Sequence, residues 1–282
     1  LDGFDEMLVR CGLESNGAPE FNENGTVRYP LHGKIANLPA HKVEVTVDGD
    51  SGEISVTGVV NETRLFFNKL ELRTTYTTRG GQPGVTVTDT ITNVSAETSE
   101  LELLYHVNFG VPLLNPGSKV VLPVAKMAPR DAEAVGNLAE WDTYGPETPG
   151  SSEAVFFFEL AADADGQTQA VLRNSTGTQG VSLKFNKTQL PCFTLWKSRQ
   201  AATDGYVTGL EPALNFPNAK SFEKEKGRVV TLGPSESRTI EITLAAHADA
   251  AGVADAERAV GRLQEGVTPE ILDQPNPEWS RV

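Results

Sequence analysis

The chain has 282 residues, of which 39% are hydrophobic and 22% are charged, a balance typical of soluble globular proteins. Its formal net charge of −14 and its lack of a basic run argue against nucleic acid or an anionic membrane as a partner. No apolar run reaches the roughly 18–20 residues that a membrane-spanning helix needs. We therefore expect a cytoplasmic protein. The chain begins at Leu1 without a methionine, which leaves open preceding strands or a signal peptide.

Short runs in which apolar and polar residues alternate recur along most of the chain, separated by Gly, Asn, Asp and Pro. This period of two, with many β-branched residues, is typical of antiparallel strands. The predicted strands cover residues 42–47, 54–60, 64–72, 72–78, 85–93, 100–107, 154–160, 170–173, 181–186, 193–197, 206–211 and 238–245. So many strands with little helix predict an all-β protein, a large antiparallel β-sandwich, in one domain over residues 1–282.

Three segments fall outside this strand pattern. The polar stretch 112–150 carries few strand signals and predicts a long loop, which in compact domains is often functional. Residues 253–264 are rich in alanine and are followed by glycine and proline, so they predict one short helix. Residues 266–282 are punctuated by prolines and predict an irregular tail.

Three titratable residues stand in unusual local settings. Glu211 lies between Leu210 and Pro212, His106 lies inside an apolar strand, and His32 precedes a glycine. Two imidazoles and a carboxylate suit acid–base chemistry near neutral pH, and burial would raise the pKa of Glu211 toward that of a useful base. Taken singly, each has a simpler explanation: His32 as a surface-loop residue, His106 as a hydrogen-bonded core residue, and Glu211 as a salt-bridged strand end.

Other side chains are weaker candidates for the same site. Trp196 and Lys197 end a strand, and an aromatic ring beside a charge suits the C–H face of a sugar. A tryptophan packed at the rim of the sandwich explains that pattern equally well. Arg73 and Asp89 lie on alternating strands and predict a cross-strand ion pair; alternatively, Arg73 faces the pocket and binds a substrate hydroxyl or carboxylate.

Several well-defined motifs are absent from the sequence. It has no GxGxxG, P-loop, HExxH or GxSxG segment, so nucleotide, zinc-protease and serine-hydrolase functions lack support. A metal site of His32, His106 and Glu211 is chemically possible, but their spacing does not favour it over acid–base work, and we predict no metal or cofactor. Cys11 and Cys192 are too few for a disulfide framework, so we expect both to be reduced and buried.

The order of the three motifs resembles that in the galactose mutarotase-like (aldose 1-epimerase) superfamily. The family has a Leu-His-Gly-Gly segment, then Asn-His-Ser-Tyr-Phe-Asn, then Leu-Glu-x-x-x-Phe-Pro. Here the similar segments are Leu31-His32-Gly33, residues 105–110, and Leu210-Glu211-Pro212 followed by Phe216-Pro217. The phrases LHGKIANLPA, LLYHVNFGVPLL and LPCFTLWK most resemble an uncharacterised branch, DUF4432, and the resemblance covers about residues 12–247.

This resemblance implies a β-supersandwich with one concave sugar site and no cofactor. It implies that Glu211 removes the proton of the anomeric hydroxyl, that His106 protonates the ring oxygen, and that His32 binds and orients the sugar. Val-Asn replaces the family's Ser-Tyr after the second histidine, and we include Asn108 among the substrate-binding candidates. The family's substrate-binding aspartate has no clear match, although Asp142 lies in the right interval.

We therefore predict an isomerase like the aldose 1-epimerases, with a free sugar or sugar derivative as its small-molecule partner. The first alternative is a lyase or isomerase that abstracts a proton from a modified sugar on the same scaffold. The second is a carbohydrate-binding protein without turnover. Resemblance of fold alone does not choose among the three.

Overall fold

The computed structural model describes residues 4–281, and most of its strands lie in two eight-stranded sheets. The first sheet contains, in spatial order, β1 (Leu8–Leu13), β8 (Ser99–Gly110), β15 (Tyr206–Ala213), β14 (Cys192–Arg199), β11 (Ala154–Leu160), β10 (Val124–Pro129) and β18 (Glu270–Ile271), with β16 (Val230–Leu232) also paired to β8. The second contains β4 (Lys42–Asp48), β5 (Glu53–Thr63), β6 (Lys69–Arg79), β7 (Gly84–Asn93), β17 (Ser237–His247), β13 (Gly180–Asn186), β12 (Gln167–Arg173) and β9 (Lys119–Val121). A separate hairpin joins β2 (Glu20–Phe21) and β3 (Val27–Tyr29).

The two sheets pack face to face around the main hydrophobic core. Leu103 and Leu210 enter it from the first sheet, and Leu72 and Ile242 enter it from the second. Alternation along each strand buries one set of apolar side chains between the sheets and leaves the other set on the outer faces. The outer face of the first sheet carries its own apolar cluster, of Cys11, Leu104, Ala128, Val155, Phe157, Cys192, Ala213, Phe216 and Trp279. This outer face also carries the candidate site.

The predicted all-β architecture is confirmed, since the strands pair almost entirely antiparallel. One predicted strand is wrong in its first half: residues 64–68 form the turn that joins β5 to β6, and β6 begins at Lys69. The buried and unpaired cysteines are also confirmed, because Cys11 and Cys192 are both buried and free. Burial raises the pKa of the Cys11 thiol well above its ordinary value.

The long loop predicted at 112–150 is partly wrong, because it contains β9, β10 and a short helix, α1 (Ala132–Gly136). β10, Val-Ala-Lys-Met-Ala-Pro, lacks a regular alternation of apolar and polar residues and lies near the edge of the first sheet. The tail is likewise not wholly irregular. Residues 270–271 form β18, which pairs parallel with β10, and Trp279 packs against Phe216 with ring centroids 5.2 Å apart.

The predicted C-terminal helix is confirmed as α3 (Ala250–Gln264). It begins three residues early because the Asp249 side chain caps it, accepting the backbone N–H of Gly252 at 2.8 Å. A further short helix, α2 (Lys220–Glu225), was not predicted. No helix among residues 4–281 is long and apolar enough to cross a membrane.

The predicted ion pair between Arg73 and Asp89 is wrong. The register of β6 and β7 places Arg73 opposite Thr90, and Arg73 is exposed, so its side chain points away from the core. Asp89 is fully buried and pairs with Arg10 of β1, which reaches across from the other sheet to a distance of 2.5 Å. Because Arg10 lies far away in sequence, alternation within β6 and β7 gives no signal for this partner.

Candidate active site

Two neighbouring strands bring His106 and Glu211 together. Strands β8 and β15 pair antiparallel with Val107 opposite Leu210, so the register places His106 opposite Glu211. The next strand, β14, places Thr194 opposite Glu211 on its other side. Since side chains alternate across a strand, all three side chains point to the outer face of the first sheet. A central position in the sheet fixes their backbones on both sides.

The imidazole and the carboxyl group are almost completely buried and lie in contact. His106 Nε2 lies 3.0 Å from Glu211 Oε1, and the side chains are 5% and 2% exposed. Asn108 orients the ring, because its Nδ2 donates to the Glu6 carbonyl at 3.0 Å and its Oδ1 therefore accepts from His106 Nδ1 at 2.7 Å. Nε2 is then the unprotonated nitrogen. Among the described residues no donor is aligned on Glu211 Oε1, which leaves this oxygen to carry a proton toward Nε2.

Burial decides where that proton resides. It lowers the pKa of His106 to about 3, with the neighbouring His32 adding to the decrease. It raises the pKa of Glu211 well above its ordinary value, and the Glu153 carboxylate adds to the increase while Arg130 opposes it. Both shifts favour a neutral imidazole beside a protonated carboxyl group. In that state the pair holds a single proton between the two residues.

Gly209 leaves the space that this pair occupies. It lies on β15 two residues before Glu211, on the same face of the strand. A methyl group at this position would lie 2.5 Å from Glu211 Oε1 and 2.8 Å from His106 Cε1. No side chain larger than hydrogen therefore fits without displacing one member of the pair.

His32 approaches the pair from a loop with unusual backbone geometry. Its φ is +61°, a left-handed conformation that non-glycine residues rarely adopt and that is often found at functional sites. The loop is held by its own hydrogen bonds: the His32 N–H donates to Gly17 O at 2.9 Å, and the His32 carbonyl accepts from Gly12 N at 3.1 Å. His32 Nδ1 contacts the Asn16 carbonyl at 3.0 Å, and the ring lies 5.8 Å from that of His106.

Gly33 is the residue on which this loop depends most, and replacing it by alanine is expected to destabilise the protein. Its φ is +76°, and a methyl group would lie 2.1 Å from Ser15 O and 2.2 Å from Gly12 O, both backbone atoms that cannot turn away. We expect Gly33→Ala to lower the free energy of unfolding by more than about 3 kcal/mol in chemical denaturation. Gly25→Ala is the control: its φ is +78° but its surroundings are open, so only about 1–2 kcal/mol should be lost. Equal losses would contradict the close-contact explanation.

The three side chains open into one small cavity of about 230 Å³. It is lined by Phe4, Ala18, Leu31, His32, His106, Arg130, Glu153, Val155, Thr194, Trp196, Glu211 and Pro217. Phe4 covers one side, with its ring 5.2 Å from that of His32 and 4.8 Å from that of His106. A larger groove of about 300 Å³ beyond β1 is lined mainly by aliphatic side chains and contains no histidine, so we assign the chemistry to the smaller cavity.

One wall of the cavity is a charged network that the sequence did not reveal. Trp196 Nε1 donates to Glu153 Oε2 at 2.6 Å, and Arg130 Nη2 donates to Glu153 Oε1 at 3.0 Å. Arg130 also binds Asp131, at 2.7 Å. Arg130 follows β10 and Glu153 precedes β11, and because these strands are antiparallel their ends meet at the cavity. The charged residues beside the two strands could have indicated this network, but β10 itself was not predicted from the sequence.

Trp196 faces the cavity, whereas Lys197 does not. Adjacent residues of a strand point to opposite faces, so the two cannot line the same site. Lys197 points toward the other sheet, where its Nζ donates to the carbonyls of Glu140, Trp141 and Thr143 at 2.6, 3.0 and 2.9 Å. Lys197 therefore holds residues 140–143 beneath the sheet. This corrects the expectation that Lys197 binds substrate.

Two further sequence candidates also lie away from the cavity. Asp142 pairs with Lys119 at 3.0 Å, and Arg73 is exposed on the second sheet. Neither lines the cavity, so the expectation that they bind substrate is corrected. Asn108 does not line it either, and it contributes by orienting His106.

No group of three or more His, Cys, Asp or Glu side chains among residues 4–281 is arranged to hold a metal ion. In the cavity, His106 and Glu211 contact each other, His32 contacts a backbone carbonyl, and Glu153 binds Trp196 and Arg130.

Comparison with known proteins places the chain in a family. A family model described as a domain of unknown function, DUF4432, matches residues 1–246, and no curated protein matches the chain. A crystal structure from Klebsiella pneumoniae, named a "putative aldose 1-epimerase", is 33% identical; the match covers 97% of this chain and 71% of that one, with a TM-score of 0.94. A galactose mutarotase-like protein from Clostridium acetobutylicum is 19% identical over 86% of this chain and 79% of that one, with a TM-score of 0.59, and supports the fold only. The chain therefore belongs to the DUF4432 family and shares the fold of galactose mutarotase-like proteins.

Proposed function

We propose that the protein interconverts the anomers of a free aldose or a close derivative, as an aldose 1-epimerase does. The observation that carries the proposal is the buried contact of 3.0 Å between His106 Nε2 and Glu211 Oε1 at the base of the cavity. Ring opening needs one proton removed from the anomeric hydroxyl, O1, and one delivered to the ring oxygen, O5. A pair that holds a single proton supplies both functions without a net exchange with water.

The order of proton transfers follows from the position of this proton. The family resemblance implies that Glu211 takes the O1 proton and that His106 protonates O5. Since the proton resides on Glu211 in the arrangement described, its transfer across the contact to His106 Nε2 is the first step. Glu211 then accepts the O1 proton while His106 protonates O5, the C1–O5 bond breaks, and a C1=O1 double bond forms. Rotation about C1–C2 and the reverse transfers close the other anomer.

The rest of the cavity suits one small polar ring. Its volume of about 230 Å³ lies below the range typical of drug-sized ligands, which fits a monosaccharide better than an oligosaccharide. The Trp196 ring offers an apolar face for sugar C–H groups, and Glu153 offers carboxylate oxygens for hydroxyls. Thr194 lines the cavity, and its Oγ1 has no hydrogen-bond partner among the described residues, which leaves it free for a substrate hydroxyl.

The protonation of the pair predicts an unusual pH profile. The pair of His106 and Glu211 gains a second proton only when His106 is protonated, near its lowered pKa of about 3. The pair loses its single proton only above the raised pKa of Glu211. The active, singly protonated pair therefore persists between these limits. We expect kcat/KM to show no rise with pH near 6.5, where an unperturbed imidazole would lose its proton. A sigmoid rise with a midpoint near pH 6.5 in an anomer-exchange assay would contradict this assignment.

The proposal is tested by NMR exchange measurements on a panel of neutral aldoses and of sugars with modified C1 or C6 groups. Faster exchange between anomeric signals supports an epimerase. Consumption of the sugar, or incorporation of solvent deuterium at a ring carbon, would instead indicate a lyase or another isomerase that uses the same pair. Line broadening of sugar signals without faster exchange would indicate a binding protein.

A further inference from the structure

A second buried carboxyl group lies on the same strand and face as His106. Glu102 is fully buried on β8, four residues before His106. Its Oε2 accepts the backbone N–H of Asn16 at 3.2 Å, and its Oε1 accepts Nδ2 of Asn215 at 2.9 Å. Among residues 4–281 it makes no ion pair within 4 Å. Burial raises the pKa of Glu102 to about 8, so its carboxyl group is largely neutral near pH 7. An ionisable group buried among amide partners costs stability, which points to a role beyond packing.

Asn16 and Asn215 also bind each other. Asn16 Nδ2 donates to Asn215 Oδ1 at 3.0 Å, and Asn215 Nδ2 approaches Asn16 Oδ1 at 3.3 Å. Both residues are fully buried. Asn16 belongs to the loop that contacts His32, and Asn215 follows Glu211 by four residues. The cluster thus joins the three chain segments that carry the candidate site.

The link to His32 passes through the Asn16 backbone. The Asn16 carbonyl lies 3.0 Å from His32 Nδ1, and a carbonyl can only accept, so Nδ1 carries the hydrogen. Burial lowers the pKa of His32, so the ring is neutral and its Nε2 is an unprotonated acceptor. An acceptor at this position can bind a sugar hydroxyl. Glu102 binds the N–H of the same residue, Asn16, whose carbonyl fixes this tautomer, so the two contacts lie on adjacent peptide units.

We propose that Glu102 is a positioning residue that sets the orientation and tautomer of His32 through Asn16 and Asn215. Each oxygen of the Glu102 carboxyl group accepts one of these hydrogen bonds, whereas a glutamine side chain has only one acceptor oxygen. Glutamine in its place would turn one acceptor into an NH₂ group facing a donor. One of the two hydrogen bonds would be lost, and the Asn16 peptide would be free to move. The proposal rests on the proposed function only for the expected loss of activity.

The test is ¹⁵N NMR of the histidine side chains in Glu102→Gln, with Glu223→Gln as the matched control. Glu223 is also fully buried, but it binds Arg228 and Asn218 and makes no contact with Asn16. The chain has only four histidines, so a His32→Gln variant assigns the His32 signals. In the parent we expect the shifts of a neutral ring protonated at Nδ1. In Glu102→Gln we expect shifts averaged over both tautomers, and in Glu223→Gln the parent shifts.

Activity gives a second, separate readout. Because His32 binds substrate in the proposed reaction, Glu102→Gln should lower kcat/KM roughly 10- to 100-fold, mainly by raising KM. Asn215→Ala keeps the hydrogen bond between Glu102 and the Asn16 backbone, so it should change the His32 tautomer less. It replaces Glu102→Gln as the test variant if Glu102→Gln does not fold. Unchanged His32 shifts in both variants would overturn the proposal. If the parent protein catalyses no anomer exchange but Glu102→Gln still changes the His32 shifts selectively, the positioning role stands and the proposed function is refuted.

Discussion

Replacement of Glu211 by glutamine, or of His106 by asparagine, is expected to lower the rate of anomer exchange by roughly 10²–10⁴-fold. Each change removes one of the two groups between which the single proton moves, and neither replacement side chain can take over its acid–base role. The two groups lie 3.0 Å apart, so they act as a unit. The measurement is kcat and KM from NMR exchange or polarimetry on the best substrate of the panel.

Because the pair acts as a unit, the double variant should be little slower than either single variant. The control is Glu153→Gln, which changes a residue of the cavity wall but not of the pair, and it should act more on KM than on kcat. Sugar binding, measured by calorimetry, should survive in both single variants. Full activity in Glu211→Gln or in His106→Asn would contradict the assigned roles.

Replacement of Gly209 by alanine is expected to abolish most activity at little cost in stability. The added methyl group would lie 2.5 Å from Glu211 Oε1 and 2.8 Å from His106 Cε1. Both are side-chain atoms that can move aside, and alanine is acceptable in a strand, so the fold should persist. The contact between Glu211 and His106 should be lost, however. A displacement of about 1 Å at a reacting group can cost on the order of 10²-fold in rate.

Gly110→Ala is the matched control for this change. Gly110 lies on β8, and a methyl group there would meet only Tyr206 O, at an ordinary contact distance of 3.5 Å. We expect its kcat to match that of the parent, and the melting temperatures of both glycine variants to stay close to the parent value. If Gly209→Ala kept full activity, the close packing described around the pair would be incorrect.

Local sequence patterns predict the strands that build this site, and the family resemblance adds how they come together. Alternation alone locates β8, β14 and β15. It does not show that β8 is the neighbour of β15, because that pairing depends on contacts between residues about 100 positions apart. The ordered His32, His106 and Glu211 motifs supplied that information through the resemblance. A small residue at Gly209 was a further local signal of space beside the carboxylate.

The features that the sequence missed depend on geometry that no local pattern encodes. Arg130 and Glu153 meet only because β10 and β11 are antiparallel partners whose ends reach the cavity. Lys197 was expected beside Trp196 because a charge follows an aromatic ring, although strand alternation requires the two to point to opposite faces. Asp142 was chosen only because it lies in the expected interval of sequence. Its bond to Lys119 depends on the path of the intervening chain.

The most direct test of the central claim is the rate of exchange between the anomeric NMR signals of neutral aldoses, measured with the parent protein and with His106→Asn under identical conditions. If the contact between His106 and Glu211 is the proton-transferring pair, at least one aldose should exchange faster with the parent, by on the order of 10² or more over buffer. The same sugar should exchange at nearly the buffer rate with His106→Asn. Equal rates for the parent, the variant and buffer with every sugar would contradict the account.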